Sequence, residues 1–528
     1  MNSLVQWLKT NSVMLVNAGS LIGTTAITSG LGFVYWWIAA RHFSPEAIGI
    51  ASASISAMML LGSICVLGLG TLLITELPRQ PGREASLIST ALIVVGGAGV
   101  IVGIVFALIA PSFIMGFHPL RADGMNVLIF ALGVSLNAVT LVLDQALIGI
   151  LRGSLQLWRN TLFALIKLVT LFLVGTWLSN DLGVAIYATW AISNIVSILV
   201  LVIPIVLKKG ITREYLPQWG LLRKLGIAAV QHHLLNLTLQ FPTQVLPIVV
   251  TALLSAQMNA WFYVSWMLVS FVFIIPGALT TVLHAMNAAQ SSSLAHKARV
   301  TMGLAALTAI LTNVVLQFGA QQVLSLFGSS YAENAAWCLR ILALAAFPLI
   351  IKNHYISICR IQDRVGGAML SILPGGILEV AAAMMGAHLG GLSGLSFGWV
   401  AAIAIEAVFM FHTVYKAIWS SEASSVSDMQ SSQGIQAIWL VETASMPSIA
   451  LSYPGIKVLQ HIENISSSGI LSPVTEYHKP IRLKPPRLQR YVQDSIATGI
   501  STEPNGRPQD RTGDHKTGRA TTRVAPTI

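Results

Sequence analysis

The chain has 528 residues, of which 54% are hydrophobic and only 10% charged, with a formal net charge of +11. Its mean hydropathy of +0.72 excludes an ordinary soluble domain and points to a protein that lives in a membrane. The positive charge sits in short loops between apolar runs, which gives it a membrane-orienting meaning and excludes a nucleic-acid footprint.

Apolar runs long enough to cross a hydrocarbon layer of about 30 Å as helices recur over the first four fifths of the chain. Twelve are read, over 12–40, 47–75, 86–110, 125–150, 159–178, 183–207, 225–253, 259–285, 297–318, 334–358, 366–388 and 392–417. The first is too long for a cleaved signal sequence. MNSLVQWLKT before it places Leu4, Trp7 and Leu8 for a short interfacial helix. Arg79, Arg83, Arg152, Lys208, Lys209 and Arg213 are among the cations of one set of loops, whereas the other set holds only Arg41 and Arg121. The positive-inside rule therefore puts both termini in the cytoplasm. Cys65, Cys338 and Cys359 are too scattered for metal spacing and read as packing residues. The long loop KKGITREYLPQW divides six helices from six, and after about Ser420 the Ser-rich, then Pro- and Arg-rich tail reads as disordered, with one docked segment near QAIWLV. The expected organisation is a six-helix bundle over 1–207, a cytoplasmic linker over 208–224, a second bundle over 225–417 and a tail over 418–528.

The two sixes correspond at a separation of roughly 210 residues: LDQALIGILR (143–152) aligns with IKNHYISICR (351–360), and HFSPEAIGIAS with LLSAQMNAWFY. An even number of crossings per half makes them parallel repeats with a cleft between them. Charges inside the spans then need a partner or a task. Asp144 and Lys167 lie on neighbouring helices at what the flanking arginines suggest is one depth, so mutual neutralisation across the hairpin is one explanation. The other is a functional cleft, since Lys352 is the repeat partner of Asp144, and the counterpart of Lys167 falls near Gly375 with Glu379 one turn deeper. Lys167 and Lys352 are thus candidate cavity cations, with Arg340 as a third that could equally snorkel to headgroups. Asp144, Glu379 and Glu406 are candidate counter-ions or coupling carboxylates.

The first helix of each half carries a neutral polar stripe. His233, Asn236, Gln240 and Gln244 share one face of the seventh helix, and Asn17, Ser20, Thr24 and Thr28 repeat that spacing in the first. The bulky amides suggest a wet face, with Pro242 and Pro247 marking a bend, whereas the small hydroxyls suggest helix packing; Asn17 and Thr24 still join the candidate cavity face. Tyr-Trp-Trp at 35–37 and Trp-Phe-Tyr at 261–263 read as aromatic belts at outer helix ends. No metal, nucleotide or nucleophile-elbow motif occurs, so no cofactor is expected and no ATP-driven step resides in this chain.

At WFYVSWMLVSFVFIIPGALTTVL (261–283), LFGSSYAENAAWCLRILALAAFP (326–348) and DQALIGILRG (144–153), the sequence resembles the polysaccharide or O-antigen-type flippases of the multidrug/oligosaccharidyl-lipid/polysaccharide exporter superfamily. The resemblance covers residues 10–417 and implies an all-α membrane fold, two six-helix bundles around a V-shaped cavity and alternating access. It implies translocation of an undecaprenyl-diphosphate-linked oligosaccharide across the cytoplasmic membrane, with other polysaccharide assembly proteins as possible partners. The carboxylates depart from a purely cationic cavity and leave open a cation-coupled drug exporter; a scaffold that recruits assembly enzymes through the tail is a further alternative, and the short outer loops disfavour a glycan polymerase or glycosyltransferase.

Overall fold

In the computed structural model the described residues are 12–177, 183–209, 216–220, 227–289, 294–362 and 364–419, almost entirely helical and without a strand among them. The chain divides into a unit over 1–467, which contains all of these, and a unit over 468–528, which lies outside the described residues. The interfacial helix expected at residues 1–10, most of the linker and the tail with QAIWLV also lie outside them.

The first half consists of α1 (Ser12–His42), α2 (Pro45–Cys65) continued by α3 (Leu69–Glu76), α4 (Glu84–Ile109), a short α5 (His118–Arg121), α6 (Gly124–Gly149), α7 (Gly153–Trp177) and α8 (Val184–Lys209). The second has α9 (Ile227–Leu253), α10 (Ala256–Ala289), α11 (Leu294–Ser325), short α12 (Ser329–Asn334), α13 (Ala336–Ala343) running into α14 (Ala346–Ile361), and α15 (Val365–Trp419). Ten of these stretches are long and apolar enough to span by length and composition. α15 is two helices joined at Gly390 and Gly391, and α1 is a 31-residue helix, so the described residues supply twelve crossings, six per half.

Local chemistry sets several ends. Ser44 caps α2 through Ala47 N–H, with Pro45 at its first position and Glu46 in its first turn. Leu67 and Gly68 adopt positive φ between α2 and α3, where a side chain at position 68 would crowd the Ala229 carbonyl. The two arms of α15 fold back on each other because Gly386, Gly394 and Gly398 bring backbone against backbone. Cys65, Cys338 and Cys359 are free and buried, as expected of packing residues. The only described part of the linker, 216–220, is held on α4: Gln218 N–H donates to Thr90 Oγ1 at 2.7 Å, and Ser86 Oγ donates to Leu216 O.

At the His42 end the halves are fastened together. Asn259 of α10 donates to Gly49 O at 2.8 Å and to Ser52 Oγ at 3.0 Å in α2. Trp37 Nε1 and Arg41 Nε of α1 both donate to Leu326 O, at 2.9 and 3.0 Å. Phe33 packs edge-on against Phe327. This overturns the belt expectation for most of the two aromatic triplets: Tyr35 and Phe262 are fully buried and Trp36 nearly so. α1 runs on to His42, which leaves residues 35–37 more than a turn inside its end and against α8 and α10; only Trp37 is exposed.

Candidate functional site

Between the halves lies a cavity of about 560 Å³. Its wall begins at Gln156 of α7 and Arg360 of α14, close to helix ends, and stops at Trp36 and Tyr263, whose rings meet at 4.7 Å. The fastened His42 end lies beyond that aromatic roof, and the opposite end of the lining is near the turn from α6 into α7. Six charged side chains line it among the described residues: Lys167, Arg159, Lys352 and Arg360 against Asp144 and Glu379.

α7 supplies one wall. Gln156, Arg159, Asn160, Phe163 and Lys167 recur on one helical face and all line the cavity. Asp144 of α6 does not neutralise Lys167, as the hairpin explanation supposed. Its partner is Arg159, with Nη2 at 2.8 Å from Oδ2 and 2.9 Å from Oδ1 and Nε at 3.2 Å from Oδ1, while Asn160 Nδ2 donates to Oδ2 at 3.1 Å. The reason is the position of the turn. α6 ends at Gly149 and α7 starts at Gly153, so Arg159 is already inside its helix, level with Asp144, and Lys167 lies about 12 Å further in.

Lys167 is 5% exposed, and no carboxylate among the described residues approaches its Nζ within ion-pair distance. Three rings surround it instead: Trp190 at 4.1 Å, Tyr35 at 4.5 Å and Phe163 at 5.2 Å from Nζ to the ring centre. Tyr35 is fixed by a 2.9 Å hydrogen bond with Thr189 and a 3.1 Å bond to Ile186 O. Ring faces favour an ammonium there without pairing it to an anion.

The opposite wall has the reverse arrangement. Lys352 of α14 is 2.5 Å from Glu379 Oε1 and 2.8 Å from Glu406 Oε2, the first from one arm of α15 and the second from the other. Glu379 Oε2 also accepts from Trp399 Nε1 at 2.7 Å. Gly375, the repeat counterpart of Lys167, leaves the space that the Glu406 carboxyl fills: a Cβ there would lie 2.5 Å from its carboxyl carbon. Lys352 and Glu379 therefore line the cavity as a committed pair, and Glu406 stands behind them.

The remaining sequence candidates divide. Gln240 and Gln244 of α9 line the cavity with Pro242, and α9 stays helical through Pro242 and Pro247. His233 and Asn236 do not line it; His233 lies beside Gly68. Thr24 and Thr28 do, against the packing expectation for α1, with their hydroxyls donating to Ser20 O and Thr24 O at 2.7 Å each. The Asn17 side chain lies outside the described residues. Arg340 does not join the cavity: its Nε donates to Gln317 O at 2.9 Å and its guanidinium lies 5.2 Å from the Trp337 ring. Arg159, Asn160, Arg360 and the ring cage went unread. The spacing of Gln156, Arg159, Phe163 and Lys167 is the 0, 3, 7, 11 stripe recognised on two other helices, so the signal was present.

Residues 14–263 match the family model for "Polysaccharide biosynthesis protein". Solved structures match over most of their length. The chain is similar to a multidrug resistance MATE family transporter of the MOP superfamily in an inward-facing conformation, with a TM-score of 0.58 and 18% identity, covering 77% of this chain and 100% of that one. It is similar to the lipid II flippase MurJ in an inward closed conformation, with a TM-score of 0.59 and 13% identity over 84% and 98% of the two chains. The fold is the one these transporter structures share. An outward-facing MATE transporter matches with a TM-score of 0.51 at 15% identity, over 77% of this chain and 97% of that one. A comparison with curated proteins finds no match. The family match agrees with the polysaccharide resemblance of the sequence, and the long apolar helices are those of a multi-pass membrane protein.

Proposed function

We propose that the protein is a flippase that carries an undecaprenyl-diphosphate-linked oligosaccharide from the inner to the outer leaflet of the cytoplasmic membrane by alternating access. The observation that carries this reading is Lys167: a buried ammonium on the wall of the cavity, held by rings and by no carboxylate among the described residues. Such a site favours an anion, because Arg159 and Lys352 on the same lining already have carboxylates and Lys167 has rings instead. In this reading the mouth of the cavity is at the end where α6 turns into α7, which the positive-inside distribution would turn to the cytoplasm with both termini, the side on which a lipid-linked sugar would load. The diphosphate would lie against Lys167, glycan hydroxyls would reach Gln240, Gln244 and Thr28, and the polyprenyl tail would stay in the lipid. The halves would then part at Asn259 and close at the mouth. No bond in the substrate changes.

A cation-coupled drug exporter of the same fold would need an available carboxylate. Asp144 and Glu379 are each bound to a cation, which favours the anionic cargo. The deciding experiment measures transfer of a lipid-linked oligosaccharide in inverted vesicles. A charge-assisted contact contributes about 1.5–3 kcal/mol, so Lys167→Ala should slow transfer by roughly tenfold to a hundredfold. Wild-type rates in Lys167→Ala would overturn the reading.

A further inference from the structure

The cluster opposite Lys167 is out of balance. One ammonium, Lys352, faces two carboxylates, and the described residues bring no other cation to them: the charged groups that bear on Glu406 are Lys352 from α14 and Glu379 from the first arm of α15. The carboxylates are also unequal. Glu379 has a donor for each oxygen, Lys352 and Trp399. Glu406 Oε1 is buried with no hydrogen-bond partner, in a space that exists because position 375 is glycine. A buried carboxylate oxygen without a donor is costly while it carries charge and cheap once it carries a proton.

The cavity reaches Lys352 and Glu379, whereas Glu406 lies just behind them. A diphosphate in the cavity that Lys167 and Lys352 both line would set two negative charges before the cavity face of the Lys352 ammonium and compete for the N–H groups that Glu406 shares. We infer that anion binding is coupled to proton uptake at Glu406: the entering anion takes Lys352 from Glu406, and the freed carboxylate accepts a proton from water. The balance is one proton from solvent onto one carboxylate oxygen, while Lys352 keeps its three protons and Glu379 keeps its Trp399 donor. Lys352 thus acts as the shared counter-ion that reports the anion's arrival to a group the anion never touches. The inference rests on the anionic-cargo reading above and adds a proton count to it.

The test uses the full chain in lipid nanodiscs at pH 7 and UDP-glucose as probe, a diphosphate diester whose phosphates do not titrate there. Calorimetric titration in two buffers of different ionisation heat gives the protons taken up per ligand bound. The expected result is uptake of about one proton in the wild type and near none in Glu406→Gln, which keeps the side chain's size. Wild-type binding with no net proton uptake would overturn the inference and leave the anion site standing. Unchanged uptake in Glu406→Gln would overturn the assignment to that residue. Absence of UDP-glucose binding in the wild type would sink the diphosphate reading itself, and this inference with it; loss of binding in Lys167→Ala alone would support that reading independently.

Discussion

Arg159 carries a full charge on a side chain that is 2% exposed, and Asp144 is its only carboxylate partner among the described residues. Removing one member of such a pair strands the other, which typically costs about 3–5 kcal/mol, whereas replacing both with apolar groups costs far less. Asp144→Ala should therefore destabilise the protein by about 3 kcal/mol in a denaturant titration in detergent, and Asp144→Ala with Arg159→Met should recover most of that loss. Equal losses in the single and double variants would show that a stranded arginine is not the source of the cost. Intramembrane charge announced itself in the sequence, because so few residues of that kind occur inside the spans. Pairing did not. Depth was counted from the arginines, and Arg159 turned out to be within a helix, so Asp144 was given the wrong partner. The aromatic cage of Lys167 was out of reach for another reason: Tyr35 and Trp190 come from α1 and α8, and nothing in a linear pattern brings those faces to α7.

Helix contacts at the closed end depend on small residues more than on charge. A Cβ on Gly49 would come 1.6 Å from the Ala256 carbonyl oxygen, so α2 and the start of α10 meet backbone to backbone there, and Asn259 fixes the register through Gly49 O and Ser52 Oγ. In the proposed alternating-access cycle this contact would break once per turnover. Gly49→Ala should loosen it and raise the fraction of molecules open at the His42 end. In a variant with a reporter at Tyr263→Cys, in the roof itself, a membrane-impermeant thiol reagent added from that side should label Gly49→Ala at least several-fold faster than its Gly49 parent. Equal rates would show that the latch lies elsewhere. The pattern of spans made the helices themselves legible, down to the division of α15 at Gly390 and Gly391, because apolar length and glycine pairs are local signals. Which helices touch across the cleft is a non-local property, and the belt expectation for residues 35–37 failed for that reason.

Two halves related by a repeat hold opposite solutions at corresponding depths: a carboxylate answered by an arginine on one side, and a lysine answered by two glutamates on the other. Repeat symmetry predicted a cleft and charge at matching positions, but a repeat copies the backbone and leaves side-chain chemistry free to diverge, so the lysine held by rings had to be found from the assembled walls. The whole apparatus described above, including roof, latch and both charged clusters, comes from residues between Thr24 and Glu406. It is built from described residues alone. If the protein is a carrier, deleting residues 425–528 should leave lipid-linked oligosaccharide transfer in vesicles within about twofold of the full chain, since a twofold change corresponds to only ~0.4 kcal/mol on the barrier. A scaffold that gathers assembly enzymes through its tail makes the contrary prediction in cells, where truncation would abolish polysaccharide production while Lys167→Ala left it untouched. Measuring both variants in both settings separates the readings. Transfer that survives truncation but fails with Lys167→Ala places the activity in the cavity, and the reverse pattern would assign it to the tail.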